Sequence, residues 1–139
     1  MAQTGHFIVF RKPDTLFDFA KPDTLCVLVD QVSYCPRRQT LSESVWRRVM
    51  TVNLWGVIHG VDAVYPHMVS RGFGHIVNIA SGAGLAPRPG MTPYAASKHA
   101  VVGLSTSLRA EAVDLGVRVS VVCPGYIATQ IMDKTTYRG

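Results

Sequence analysis

The residues best equipped for proton-transfer chemistry are Tyr94 and Lys98, four apart in YAASK, with Ser81 thirteen residues before Tyr94 and Asn53 a further 28 before Ser81. Residues four apart share one face of a helix, so the phenol and the ammonium can reach a common ligand. A free phenol has a pKa of about 10 and is ionised in only about one molecule in a thousand at pH 7. An ammonium about 4 Å away, at an effective dielectric of about 20, favours the phenolate by up to about 4 kcal/mol before desolvation subtracts. A place in the first turn of a helix adds the favourable end of the dipole. A tyrosine held this way gives and takes a proton near neutral pH.

Spacing alone does not make the pair a site. With five tyrosines and the four lysines of this chain, chance supplies such a pair in roughly one chain in seven, and a solvated tyrosine and lysine on an amphipathic helix meet the same description. Taken singly, Asn53 also reads as a polar residue inside a helix, Ser81 as a loop serine and Thr129 as a local cap.

The elements that must position these residues are legible in the patterning. Leu25 to Val29 is a short apolar run, as in a buried strand. Thr40 and Glu43 have capping-box spacing and open a long helix through Val45, Val49, Val52 and Ile58 toward Pro66. Gly72-Phe73-Gly74 marks a turn, and the β-branched run His75 to Ala80 a buried parallel strand. SGAGLAPRPGMTP is a loop by its glycine and proline content. Thr92 and Pro93 then suit an N-cap and first helical position, and Val101, Leu104, Leu108, Ala112 and Leu115 recur with helical period before Gly116. Val117 to Val122 is a further strand, closed by Cys123-Pro124-Gly125. Strand, helix, strand, helix, strand implies right-handed crossovers and a parallel sheet covered on both faces, with ligands beyond the carboxyl ends of the strands. Ser81 and Pro124-Gly125 fall at those ends.

NLWG at 53–56, HIVNIASGAG at 75–84, YAASK at 94–98 and PGYIAT at 124–129 together resemble the classical short-chain dehydrogenase/reductase family, almost continuously from about Leu41 to Met132. The resemblance implies an α/β fold of Rossmann-like, doubly wound parallel type with flanking helices. It implies hydride transfer between NAD or NADP and a small-molecule alcohol or carbonyl. It assigns Tyr94 the proton exchange with the substrate oxygen, Lys98 the nicotinamide ribose and the lowering of the phenol pKa, Ser81 a hydrogen bond to that oxygen, and Asn53 a water that continues the relay. Pro124, Gly125, Ile127 and Thr129 are implied to line the nicotinamide and bind its carboxamide, so Tyr94, Lys98 and these four form the cofactor-binding set. The family's paired helices also imply a homo-oligomer.

The chain departs from the family toward its beginning. All but one of its twelve glycines lie from residue 56 onward, so the glycine-rich turn that lets backbone approach a pyrophosphate has no counterpart beyond Thr4-Gly5. Where the family carries Asn-Asn-Ala-Gly stand Asp30-Gln31-Val32-Ser33. The KPDTL repeat at 12–16 and 21–25 is too brief for a solenoid. Residues 1–39 are accordingly an atypical N-terminal segment, 40–139 the catalytic part of the fold, and the whole a truncated or partial gene product whose Rossmann-like sheet is incomplete. The alternative is an inactive remnant that acts, if at all, through helix-mediated oligomerisation.

Composition sets outer bounds. At 47% apolar and 17% charged residues the chain is of ordinary globular type, and it has no apolar run long enough to span a bilayer or serve as a signal peptide. Cytoplasmic placement follows as the expectation. Cys26, Cys35 and Cys123 show no CxxC spacing and form no metal pattern with the five histidines. The net charge of +5, densest at Arg37-Arg38 and Arg47-Arg48, is assigned to a solvated surface rather than to nucleic acid, for which no binding motif is present.

Overall fold

The structure, a computed structural model, describes the backbone of residues 24–27 and all of residues 42–125. Strand β1 (Thr24–Val27) is followed by α1 (Glu43–Met50), a π-helical turn (Thr51–Trp55) and α2 (Gly56–Arg71). Strand β2 (Gly74–Ile79) then leads through a 3₁₀ turn (Gly82–Gly84) to α3 (Thr92–Ala112), and a second 3₁₀ turn (Val113–Leu115) to β3 (Val117–Val122). The sheet order is β1-β2-β3, parallel throughout, with Val27 opposite Asn78 and Asn78 opposite Val121. This is the parallel α/β arrangement expected from the alternation of elements.

Both long helices pack on one sheet face. Val57, Val61 and Met68 of α2 and Val101 and Ala112 of α3 form a single cluster with Ile76, Ala80, Val117 and Val119. Two successive crossovers stepping the same way across a sheet bring their helices to the same side, so described helices cover one face rather than two. The opposite face carries His75, Val77 and Ile79, and Val77 is itself fully buried.

The first helix differs from expectation in three respects. Thr40 lies outside the described residues, and the helix starts at Glu43 with Ser42 as an extended N-cap that makes no side-chain cap bond. Ser42 Oγ is instead hydrogen-bonded to Ser44 Oγ at 2.9 Å, while Glu43 pairs with Arg47 one turn on. The helix is also not uniform, since residues 51–55 widen into a π turn. Finally, it runs past Pro66 to Arg71. A proline inside a helix removes one backbone donor, but Met68 is buried against the sheet and holds the last turn in place. Gly72, at φ 74°, ends the helix in the left-handed conformation that favours glycine.

Strands β2 and β3 match the sequence expectation within a residue. Helix α3 begins one residue early, with Met91 as N-cap, Thr92 first and Pro93 second. It ends at Ala112, and Gly116 closes the 3₁₀ turn that follows at φ 74°; a Cβ there would stand 2.0 Å from the Gly72 carbonyl oxygen. The two turns at the amino ends of β2 and β3 therefore rest on each other through bare glycine backbone.

Candidate functional site

Helix α3 enters at the carboxyl end of the sheet and brings Tyr94 and Lys98 there on one face. Both are buried, Tyr94 with 6% and Lys98 with 2% of its surface exposed. The Lys98 ammonium lies 5.8 Å from the centroid of the Tyr94 ring and donates to the Ile79 carbonyl oxygen at 3.3 Å. An ammonium has three donors, so one fixes Lys98 to the end of β2 and two stay available for a ligand. Burial pushes the Lys98 pKa down to about 8, and the nearby Cys123 thiol pulls it the other way.

Ser81 follows directly on β2. Its backbone is extended and its Oγ accepts the Ala83 N–H at 3.2 Å, which leaves the hydroxyl proton free to be donated elsewhere. The loop is clamped from two sides. The Gly82 N–H donates to the Pro124 carbonyl at 2.7 Å, extending the contact made by Ala80 N–H to Val122 O at 2.8 Å. On the other side Gly84 lies against α3, where a Cβ would be 2.7 Å from the Lys98 carbonyl oxygen. Ser81, Lys98 and Pro124 are thus tied together through backbone: the loop of the first touches the helix of the second and the strand end of the third.

Asn53 arrives from the π turn. It is buried, and its Nδ2 donates to Ser97 Oγ at 3.2 Å, while Ser97 Oγ donates to the Tyr94 carbonyl at 2.7 Å. Single π turns inside α-helices commonly accompany functional positions. Here the widened turn directs the amide into α3 between Tyr94 and Lys98. Ile127 and Thr129, the remaining expected residues, lie outside the described residues, as do Thr4, Gly5 and Asp30 to Ser33.

Ser97 and the Ile79 carbonyl are part of this assembly although sequence reasoning did not single them out. Ser97 sits inside YAASK, where a small residue between two larger polar ones carries no signal of its own. Asn78, buried on β2, donates to Ser105 Oγ at 2.9 Å, and Ser105 donates to Val101 O at 2.7 Å. This second polar tie locks β2 to α3 next to the Ile79 carbonyl. Among the described residues no group of three or more His, Cys, Asp or Glu could hold a metal ion, and no helix is long and apolar enough to cross a membrane.

The family model for short chain dehydrogenases matches residues 20–138. The chain belongs to the short-chain dehydrogenase family. Among its relatives, the D-beta-hydroxybutyrate dehydrogenase of Rhizobium meliloti is 38% identical over 89 residues, covering 64% of this chain and 34% of that protein. Among solved structures, the gluconate 5-dehydrogenase of Burkholderia cenocepacia in complex with NADP and tartrate superposes with a TM-score of 0.73 at 32% identity, covering 81% of this chain and 45% of the other. A 3-oxoacyl-[acyl-carrier protein] reductase with bound NAD from Brucella melitensis gives 0.71 at 34% identity, over 77% and 43%. The chain thus spans about a third to a half of the length of the relatives it matches, and its sheet is an incomplete Rossmann fold of the short-chain dehydrogenase type.

Proposed function

We propose that this chain carries the catalytic centre of an NAD(P)-dependent oxidoreductase that interconverts an alcohol and a carbonyl. The observation that carries the proposal is the convergence of Tyr94, Lys98 and the Ser81 loop at the carboxyl ends of β2 and β3, in a chain of the short-chain dehydrogenase family. The nicotinamide, when bound, supplies or accepts the hydride. The donors present suit it: the buried Lys98 ammonium has two unspent N–H groups for ribose hydroxyls, and Pro124-Gly125 offers backbone for the ring to lie against. Ile127 and Thr129 complete the same binding set.

Within this reading Tyr94 exchanges the proton at the substrate oxygen, acting as acid in reduction and base in oxidation. The Lys98 ammonium lies 5.8 Å from the centroid of its ring. Ser81 donates its free hydroxyl proton to the same oxygen and sets its position. Asn53, held through Ser97 to the backbone of Tyr94, orients a water that returns the proton to solvent past Lys98. Titration of the full chain with NADH and with NADPH, followed by fluorescence, tests this. Saturable binding is expected of the wild type and is lost in Lys98→Met, and no binding by the wild type at millimolar cofactor overturns it.

The free thiol of Cys123 fits a reducing compartment, and cytoplasmic placement is part of the proposal. So is self-association: Trp46, Met50 and Trp55 line a shallow groove of about 280 Å³ beside Glu43 and Arg47, and Trp55 is half exposed. An exposed aromatic patch of this kind favours a helix-to-helix contact between copies. Light scattering that finds only monomer at high concentration counts against it.

A further inference from the structure

Arg88 stands on the loop that joins β2 to α3. Its Nη2 lies 3.9 Å from where a Cβ on Gly82 would sit, a point that is also 3.4 Å from the Pro124 carbonyl oxygen and 3.8 Å from Gly125 Cα. The guanidinium is therefore at the carboxyl ends of β2 and β3, one residue along from Ser81. The backbone that carries it is stiff. Pro87 and Pro89 flank it, and a residue before proline is confined to extended conformations. The Met91 N–H closes a turn on the Arg88 carbonyl at 3.1 Å, with Gly90 at φ 80°.

Water solvates this exposed guanidinium, and no carboxylate of the described residues is paired with it, so its fork is open to an anionic ligand. Among the described carboxylates Glu43 is paired with Arg47. Of the other described carboxylates, Asp62 belongs to α2, and Glu111 and Asp114 to the far end of α3 and the turn after it. Lys98, the other cation near these strand ends, is buried and tied to Ile79. Arg88 is exposed and presents a planar fork suited to a carboxylate.

We infer that Arg88 selects substrates bearing an anionic group, a carboxylate above all, placed a few bonds from the carbon that gains or loses hydride. The inference rests on the hydride-transfer reading of the site and adds the substrate class to it. Because Pro87 and Pro89 have already restricted the backbone, little loop entropy is lost when the fork closes on its ligand.

The test uses the full 139-residue chain as wild type, Arg88→Met and Arg88→Lys, each checked for folding by circular dichroism. Short oxo acids, with the keto group one, two or three bonds from the carboxylate, are compared with their methyl esters. Binding is read by calorimetry and turnover by NADH and NADPH oxidation. The wild type is expected to prefer at least one acid over its ester, and Arg88→Met to reduce that preference roughly ten- to a hundred-fold, the loss of a hydrogen bond to a charged group. Arg88→Lys should restore part of it by keeping the charge without the fork. Wild-type turnover with no preference for acids overturns the inference and leaves the hydride-transfer reading standing. Preferential acid binding that Arg88→Met abolishes, with no turnover of any carbonyl, supports the anion site and overturns that reading. A loss of cofactor affinity in Arg88→Met with acid preference intact assigns the guanidinium to the cofactor and overturns the inference, as does the absence of both binding and turnover.

Discussion

Lys98 is a charged side chain kept where burial opposes its charge. Its pKa of about 8, against the usual 10.5, means that the folded protein bears a cost on the order of 3 kcal/mol for holding the ammonium. The group is charged in both folded and unfolded chains below about pH 8, so the cost is fully present there. It is relieved as pH rises from about 8 toward 10.5, where the folded lysine has lost its proton and the unfolded one still binds it. Lys98→Met is therefore expected to raise the unfolding free energy by about 1–3 kcal/mol at neutral pH while abolishing cofactor binding. Chemical denaturation beside a cofactor titration checks both halves, and a destabilised variant that still binds contradicts the account. Tyr94 and Lys98 were legible in the sequence because helical spacing converts directly into a shared face. The partner that fixes Lys98 was not, since a backbone carbonyl such as that of Ile79 exists at every residue and acquires meaning only when a strand end meets a helix.

Between β2 and α3 the loop from Ser81 to Met91 decides whether the reactive groups stay in register. Gly84 has no room for a side chain against the Lys98 carbonyl, whereas Gly103, exposed in the middle of α3, meets nothing within 4 Å. The two glycines should thus respond oppositely to the same change. Gly84→Ala is expected to cost about 1–3 kcal/mol and to lower activity further by lifting Ser81 away from α3. Gly103→Ala should stabilise by about 0.5–1 kcal/mol through its better helix propensity and leave turnover alone. Thermal unfolding of the pair, with rates on one substrate, distinguishes them. At this scale β2, β3 and the start of α3 could be read within a residue from β-branched runs and helical periodicity. The π turn could not, because TVNLW has no local chemistry that announces an inserted residue. The extension past Pro66 also escaped, because packing of Met68 outweighed a local helix-breaking signal. The start at Glu43 escaped because Ser42 took the place in the chain that Thr40 seemed to claim by spacing.

At the scale of the molecule, the described residues form a scaffold of three parallel strands with their helices on one face. The sheet's other described face brings His75 against Ser120, with Nε2 and Oγ 2.8 Å apart, and against Arg118 directly opposite in register. Burial first and the Arg118 charge second hold the His75 pKa below its usual 6.5. Above 6.5 the imidazole is neutral folded or unfolded and stability is unaffected. As pH falls below that value the unfolded chain takes up the proton more readily, so stability declines until the folded histidine is protonated too. Denaturant midpoints are expected to drop as pH falls below 6.5, and His75→Gln should flatten that part of the profile. The parallel order was readable from the alternation of elements, whereas a His–Ser contact between neighbouring strands depends on register, which no short sequence window contains. The central claim is that these elements assemble a proton-exchanging tyrosine beside a cofactor-binding lysine. Its most direct test is the rate of NAD(P)H-dependent carbonyl reduction by wild type and Tyr94→Phe under saturating cofactor. The account predicts a loss of about 10²–10⁴-fold in the variant with cofactor affinity retained, and equal rates in the two proteins would contradict it.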